Sequence, residues 1–347
     1  MTLFSIHKTI YEKTISIFDR KVLSFGRKKE KYLTFFGLPV YRRRVREDKI
    51  EYTFLGIKFR IENKLWGLEN RIRNIEHICT YAHTPEMAQP AVGYSKLLQQ
   101  ASVIILKDVM RVCREAGIEC WLSYGTVLGL YRHGGIIPWD DDIDVAMRRS
   151  DYERFIDLYN SIGNKDFRAV YYTHENGKYN LCKVVSSVNN VFVDIFPQDI
   201  DGRDIPFEDR VKDVDSNKNL LMNDTYWEKH KDIEKKQEAI KEYHNYLIAR
   251  CNKKHDQKLH SDSIVFMGAE CNIDNPCVCN TGAAIFPLQD VIFEGVECKA
   301  PHDMELYLYQ MFGDFMNYPP VIETHCNKTQ ASKKDMIECL EFVRKYS

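Results

Sequence analysis

The residues with the clearest capacity for chemistry lie in Pro138-Trp139-Asp140-Asp141-Asp142-Ile143-Asp144-Val145, where four carboxylates fall within five positions. Mutual repulsion makes such a run costly unless a cation compensates it. On a strand, side chains alternate, so Asp140, Asp142 and Asp144 share one face while Ile143 and Val145 turn to a core. Neighbouring carboxylates are hard oxygen donors of the kind that hold Mg2+ or Mn2+. Such ions bridge phosphates in in-line displacements. The plainer reading, a solvated acidic turn, fits poorly with the apolar residues interleaved among the acids.

Two further segments belong with this one. Ser123-Tyr124-Gly125-Thr126 follows an apolar run, Ile118–Leu122. Glycine lets backbone amides approach a phosphate, and a helix start adds partial positive charge. Thr126 caps such a helix or donates its hydroxyl. Taken alone, a Gly-Thr pair is an ordinary turn. In Phe192-Val193-Asp194-Ile195-Phe196-Pro197 a single acid stands among β-formers. It reads as a paired structural acid, or as a third ligand if a metal sits at Asp142 and Asp144.

The elements that must position these residues follow from periodicity. Leu97, Leu98, Ala101, Ile104, Ile105, Val109, Val112 and Cys113 recur at helical spacing, and Gly117 stops the helix. A buried strand over 118–122, a short helix after Thr126, a strand over 143–147 and a helix from about 150 follow. Strands near 168–173, 179–185 and 191–196 complete the pattern. Helices alternating with strands predict an α/β or α+β layered fold. Residues 201–262 are charged and helical around 228–250, as an insertion. Phe293-Glu294-Gly295-Val296 predicts a tight turn between strands, and a helix runs from about His302 to Phe312.

The order strand, Gly-Thr turn, helix, Asp-Ile-Asp strand and a later strand with one Asp resembles the polymerase-β-like nucleotidyltransferase fold. The whole stretch from Gly125 to Asp144 is similar to the signature of the LicD family, which includes bacterial phosphocholine transferases and is related to the fukutin group. Asp151-Tyr152-Glu153-Arg154-Phe155, Val193–Pro197, Phe293-Glu294-Gly295 and Phe312-Gly313-Asp314 extend the likeness, which covers roughly 96–200 and 285–321. Leu130-Tyr131 and Gly135-Ile136 depart from the common Ala-Val and Gly-Phe without removing a polar group.

The resemblance implies a mixed-sheet core flanked by helices and transfer of a phospho-alcohol from a CDP-linked donor to a glycan hydroxyl. Asp142, Asp144 and Asp194 would then be the catalytic and metal-holding acids, with Mg2+ or Mn2+ as cofactor. Gly125 and Thr126 would hold a phosphate. Arg132 suits a bidentate oxyanion contact, or is structural. His133 reads as a donor contact or a satisfied structural histidine. Trp139 suits base stacking or a choline pocket through cation–π contact, or the core. Tyr124 and Lys183 are further pocket candidates, the lysine for charge balance. Other donors (CDP-ethanolamine, CDP-glycerol, CDP-ribitol), nucleotidyl transfer proper and a non-catalytic binding role are the alternatives.

Composition bounds the rest. The 347 residues allow about two domains, and 44% hydrophobic with 29% charged residues is globular composition. The net charge of -1 hides an asymmetry: residues 1–60 hold 15 Lys/Arg against 6 Asp/Glu. This basic, aromatic extension (1–65) carries an echo, Phe35-Phe36-Gly37-Leu38 and Phe54-Leu55-Gly56-Ile57, read as a strand-turn-strand ribbon. It is either a solvated face or a contact with an anionic membrane surface. A helix and linker over 66–95 and a catalytic domain over 96–347 complete the division. No nucleic-acid motif accompanies the basic segment. The 11 cysteines are irregularly spaced, as in reduced cytosolic thiols. Cys271, Cys277 and Cys279, with Cys298 nearby, lack compact zinc spacing, and His255 and His260 lie in a polar stretch. No apolar run spans a membrane and no signal peptide is evident. These features place the chain in the cytoplasm, or peripherally on the inner face of the cytoplasmic membrane.

Overall fold

A computed structural model of the chain describes the strands within residues 4–62 as backbone, and residues 85, 88–188, 191–230, 236–251, 258–275, 278–318 and 333–346. The chain divides into two compact units, Met1–His83 and Thr84–Ser347. The expected helix over the first part of 66–95 lies outside the described residues.

The first unit is one antiparallel meander of seven strands: β1 (Phe4–Lys8), β2 (Glu12–Ile17), β3 (Arg20–Arg27), β4 (Glu30–Phe35), β5 (Leu38–Val45), β6 (Lys49–Phe54) and β7 (Ile57–Glu62). The aromatic-glycine echo marks two of its reversals, since Phe35 pairs with Leu38 and Phe54 with Ile57.

The second unit opens with α1 (Gly93–Ala116), four residues earlier than its apolar spacing predicts, and ends at Gly117 as expected. Then come β8 (Cys120–Leu122), α2 (Tyr124–His133), β9 (Asp144–Arg148), α3 (Arg149–Ile162), β10 (Arg168–Thr173), β11 (Asn180–Val185) and β12 (Phe192–Asp201). Three helices follow, α4 (Phe207–Met222), α5 (Tyr226–His230) and α6 (Lys236–Cys251). The chain continues through β13 (Ile264–Met267), β14 (Cys279–Thr281), α7 (Gly282–Ile285), the hairpin β15 (Gln289–Phe293) and β16 (Val296–Ala300), α8 (Met304–Phe312) and α9 (Lys333–Tyr346).

The central sheet is mixed and flanked by helices, as the resemblance implies. Its organising strand is β12. This strand pairs antiparallel with β11 through its first half and with β13 through its last four residues, and it runs parallel to β9 over 194–198. β8 pairs antiparallel with β9. Strand β12 is buried at eight of its ten positions, which its run of β-formers explains. The core packs Leu98, Ile105, Val109, Trp121, Val145, Phe155 and Ile195 between α1, α3 and the sheet. The charged segment after 201 is inserted between the antiparallel neighbours β12 and β13. It forms its own small core from Leu221, Trp227, Ile240, Tyr243 and Leu247. No helix among the described residues is long and apolar enough to cross a membrane.

The insertion is tied to the sheet through α6, which packs on β10. Its His244 is 1% exposed, and its Nε2 lies 3.0 Å from the Tyr172 carbonyl and 3.2 Å from Thr173 Oγ1. Burial lowers the His244 pKa to about 4. The unfolded chain, with its histidine near pKa 6.5, takes up a proton before the folded protein does. Stability is therefore lost as pH falls from about 6.5 to 4. Between pH 7 and pH 5 the loss from this group is about 2 kcal/mol. Urea unfolding at the two pH values, in the wild type and in His244→Gln, measures it: the variant is expected to lack this part of the pH dependence.

Candidate functional site

The site is a row across three strands. In the register, Asp144 on β9 faces Asp194 on β12, and Asp194 faces Lys183 on β11. Neighbours in register project to the same side of a sheet, so two carboxylates and an ammonium lie side by side. Asp194 is 3% exposed and Asp142 8%. Carboxylate oxygens of Asp142, Asp144 and Asp194 lie within 4.8 Å of one another. A second group, Asp140, Asp141 and Asp142, meets the same limit and shares Asp142 with the first. These are the only clusters of three or more potential metal-ligating acids, histidines or cysteines among the described residues. Hard oxygens gathered this closely suit a divalent cation of the Mg2+ or Mn2+ type.

The expected strand over 143–147 begins instead at Asp144, and Asp140–Ile143 are irregular. The parallel pairing with β12 starts only at Asp144, so strand alternation does not extend back to Asp140. Asp140 accordingly groups with Asp141 and Asp142 rather than with Asp144 and Asp194.

Each predicted pocket residue has a definite place. Gly125 backs onto the acids: a Cβ there would lie 3.2 Å from Asp140 Oδ2 and 3.9 Å from Asp144 Oδ2. Thr126 is inside the first turn of α2, whose N-cap is Ser123, so it is not the cap. Its Oγ1 accepts the Asp144 N–H at 2.8 Å, while the Ser123 N–H donates to the Asp144 carbonyl at 3.1 Å. The threonine thus fixes the backbone of Asp144. Lys183 Nζ donates to both oxygens of Asp194, at 2.6 and 2.8 Å, and lies 3.9 Å from the centre of the Phe192 ring. That is the charge-balancing position. Arg132 is 8% exposed and donates to the Phe315 carbonyl at 2.8 Å and to His133 Nε2 at 3.1 Å. His133 and Tyr318 flank the Trp139 ring at 5.9 and 5.5 Å, and the Arg132 guanidinium lies 5.6 Å from its centre. Arg132, His133 and Trp139 thus form one aromatic–cationic cluster next to the acidic loop.

Of the four cysteines considered together, Cys298 lies apart, lining a cavity with Cys113 and Cys120. Burial pushes the Cys271 thiol up. Cys277 and His255 lie outside the described residues, and His260 is exposed, its backbone N–H donating to Ser263 Oγ at 2.8 Å.

Sequence reasoning missed the residues that hold this arrangement. Gln99, buried on α1, donates from Nε2 to the carbonyls of Ile137 (3.2 Å) and Asp140 (2.9 Å) and so pins both ends of the loop. Glu294, at the β15–β16 reversal, accepts the Ile136 N–H at 3.0 Å. Tyr307 on α8 accepts the Tyr124 N–H at 3.0 Å and shares a hydrogen bond of 2.9 Å with Ser123 Oγ. Tyr124 has φ 46°, a left-handed conformation costly for a residue with a Cβ. Tyr307 holds its backbone, and Gln198 Nε2 donates to its hydroxyl at 2.9 Å. Burial pushes the Tyr307 phenol up to about 12, so it remains protonated at neutral pH. Burial, and then the charges of Asp194, Asp144 and Asp142, push the Tyr179 phenol above its ordinary range. A glutamine on an apolar helix face, or a tyrosine among β-formers, carries no chemical signature in one sequence.

Residues 117–254 match the family described as LicD/FKTN/FKRP, nucleotidyltransferase domain. This match overlaps the likeness read from the motifs over 117–200 and continues to 254, through a segment which that likeness left out. The match takes in the helices of the insertion and stops before the β15–β16 hairpin. Among similar proteins, the lipopolysaccharide cholinephosphotransferase LicD of Haemophilus influenzae is 47% identical over 55 residues, 16% of this chain and 21% of that protein. The human ribitol 5-phosphate transferase FKRP is 46% identical over 43 residues, 12% of this chain and 9% of its own length. The mouse ribitol-5-phosphate transferase FKTN is 39% identical over 49 residues, 14% of this chain and 11% of its own. The chain therefore spans about a fifth of the first relative and about a tenth of the other two.

Two substitutions test the bracing. Tyr307→Phe leaves the buried Ser123 hydroxyl and the Tyr124 N–H without this partner, and is expected to destabilise the protein by about 1–3 kcal/mol in chemical denaturation. A Cβ at Gly135 would lie 2.3 Å from Glu294 Oε1, so Gly135→Ala must displace that carboxylate. Its cost is expected to shrink in a Glu294→Ala background, with a coupling of at least about 0.5 kcal/mol in the double-mutant cycle.

Proposed function

We propose that the protein is a metal-dependent phospho-alcohol transferase that moves phosphocholine from CDP-choline to a hydroxyl of a cell-surface glycan, of lipopolysaccharide or teichoic-acid type, releasing CMP. The observation that carries this reading is the meeting of the Asp142, Asp144 and Asp194 carboxylates within 4.8 Å, directly against the Gly125-Thr126 turn. The activities that the relatives are named for support the class.

Asp142, Asp144 and Asp194 are the residues that would hold Mg2+ or Mn2+, and three close hard oxygens fit that ion. A bound divalent cation would supply charge neutralisation on the diphosphate. The chain's own residues do the rest. Gly125, with no side chain, would let a donor phosphate come close beside the acids, and Thr126 keeps Asp144 in position. The acceptor oxygen attacks the distal phosphorus of the donor, and the bond from that phosphorus to the CMP oxygen breaks. Asp194 takes the hydroxyl proton, with Lys183 fixing its orientation and balancing its charge. CMP leaves with the bonding electron pair. Trp139 and Tyr318 offer an aromatic wall beside the acids for the base or the head group. The basic N-terminal unit would meet an anionic membrane surface and bring the site to a lipid-linked acceptor, at the inner face of the cytoplasmic membrane.

A second reading keeps this chemistry with another CDP-alcohol: the ribitol-phosphate relatives favour it, and ethanolamine and glycerol belong to the same set. Nucleotidyl transfer proper, with attack at the proximal phosphorus, is the third, favoured by the description of the matched domain. Turnover distinguishes them. The protein is incubated with Mg2+, an acceptor-glycan extract and each CDP-alcohol in turn, and both CMP release and acceptor labelling are measured. CDP-choline is expected to give both, with activity lost on chelation and in Asp142→Ala/Asp144→Ala. CMP release from another donor reassigns the head group. Pyrophosphate released from a nucleoside triphosphate supports the third reading. Full activity in the double variant overturns the assignment of the acids.

A further inference from the structure

The strand register of the first unit sorts its residues into two chemically different faces. Directly paired residues in an antiparallel sheet lie on the same face, and the faces alternate along each strand. One row runs Phe25, Leu33, Tyr41, Phe54, Ile57 from β3 to β7. The next row on that face runs Arg27, Lys31, Arg43, Tyr52, Phe59, and beyond it lie Val45, Ile50 and Ile61. This face is largely apolar and aromatic; its charges on β4–β7 are the cations Lys31 and Arg43, in register with Arg27 of β3, and it carries no strand acid. The other face carries the row Glu30, Arg44, Glu51, Arg60, in which the sign alternates at every step. All four strand acids of the unit, Glu12, Glu30, Glu51 and Glu62, fall on that second face.

The two faces therefore answer electrostatics differently. Alternating charges in register stabilise the sheet, whereas like charges directly opposite oppose it. On β4–β7 the second face sets Arg42, Arg44, Lys49, Lys58 and Arg60 against Glu30, Glu51 and Glu62, so its own acids offset most of its charge. The first keeps a row of three adjacent cations among aromatic and aliphatic residues. Aromatic residues favour the headgroup level of a bilayer, and cations favour its anionic lipids. We infer that the face carrying Arg27, Lys31 and Arg43 is the surface by which the N-terminal unit lies on an anionic bilayer. The inference rests on the proposed membrane attachment and assigns it to one face.

The test uses the full chain and vesicles of phosphatidylcholine with or without phosphatidylglycerol. Two triple variants remove the same charge: Arg27→Gln/Lys31→Gln/Arg43→Gln on the first face and Arg42→Gln/Arg44→Gln/Arg60→Gln on the second. Circular dichroism and melting establish that each remains folded. Co-sedimentation with anionic vesicles is expected to fall on the order of 100-fold in the first and to stay close to wild type in the second. Neighbouring positions give a second measurement that leaves every charge in place. Tyr52→Trp is expected to be quenched by brominated lipid and Thr53→Trp is not, against the common background of the 4 native tryptophans. Equal losses in the two triples, or quenching at Thr53→Trp alone, overturn the face assignment while leaving membrane attachment standing. A wild type that ignores anionic vesicles overturns both. Dissociation of an oligomer in the first triple without lipid makes the face a contact between copies of this chain, and overturns the inference.

Discussion

Two carboxylates held in register on adjacent parallel strands set the terms for the whole second unit. At about 5 Å and an effective dielectric near 20, a pair of like charges repels by about 3 kcal/mol. Asp144 and Asp194 occupy such positions, and Asp142 adds a third charge from the loop just before. Left alone, the acidic segment would swing away from β12 into solvent. Lys183 answers part of the repulsion through both oxygens of Asp194. The remaining excess of negative charge is of the kind that a divalent cation would offset.

The answer to the rest is mechanical. Gln99 from α1, Thr126 from α2 and Glu294 from the β15–β16 reversal each spend a hydrogen bond on the backbone of the acidic loop or its flanks. Tyr307 from α8 does the same for the turn at Tyr124, which carries the left-handed φ. None of these groups is itself among the clustered acids. They act through geometry, in the way that outer-shell partners orient ligands in metal sites. The unit is built so that a locally unfavourable concentration of charge is held by several separate parts of the core.

The acids themselves were legible because their chemistry is in their side-chain type. Asp142, Asp144 and Asp194 stand out against apolar neighbours, and strand periodicity places two of them correctly. The helix α1, its stop at Gly117, the β15–β16 turn and α8 follow from local spacing and turn chemistry for similar reasons. What escaped was set by tertiary contact. The strand begins at Asp144 because β12 pairs only from there, which moves Asp140 out of the expected row. Thr126 has the composition of a phosphate-binding turn, yet its hydroxyl is engaged by Asp144. Arg132 has the type of an oxyanion ligand, but the carbonyl of Phe315, 183 residues later, engages it. Gln99 and Tyr307 do ordinary hydrogen bonding, and only the fold reveals what they hold.

The braces also bear on where this unit can be divided. The stretch shared with the family runs from 117 to 254 and contains every clustered acid, the Gly-Thr turn and Lys183. Gln99 precedes it, and Glu294 and Tyr307 follow it. A fragment cut at those borders would inherit the clustered acids without the tethers that hold their backbone in place. The recognisable segment and the mechanically complete segment thus have different ends. Residues far from the shared motif are part of what the motif needs, and an insertion or swap that respects the motif while loosening α1 or the 289–312 region would undo the site from outside.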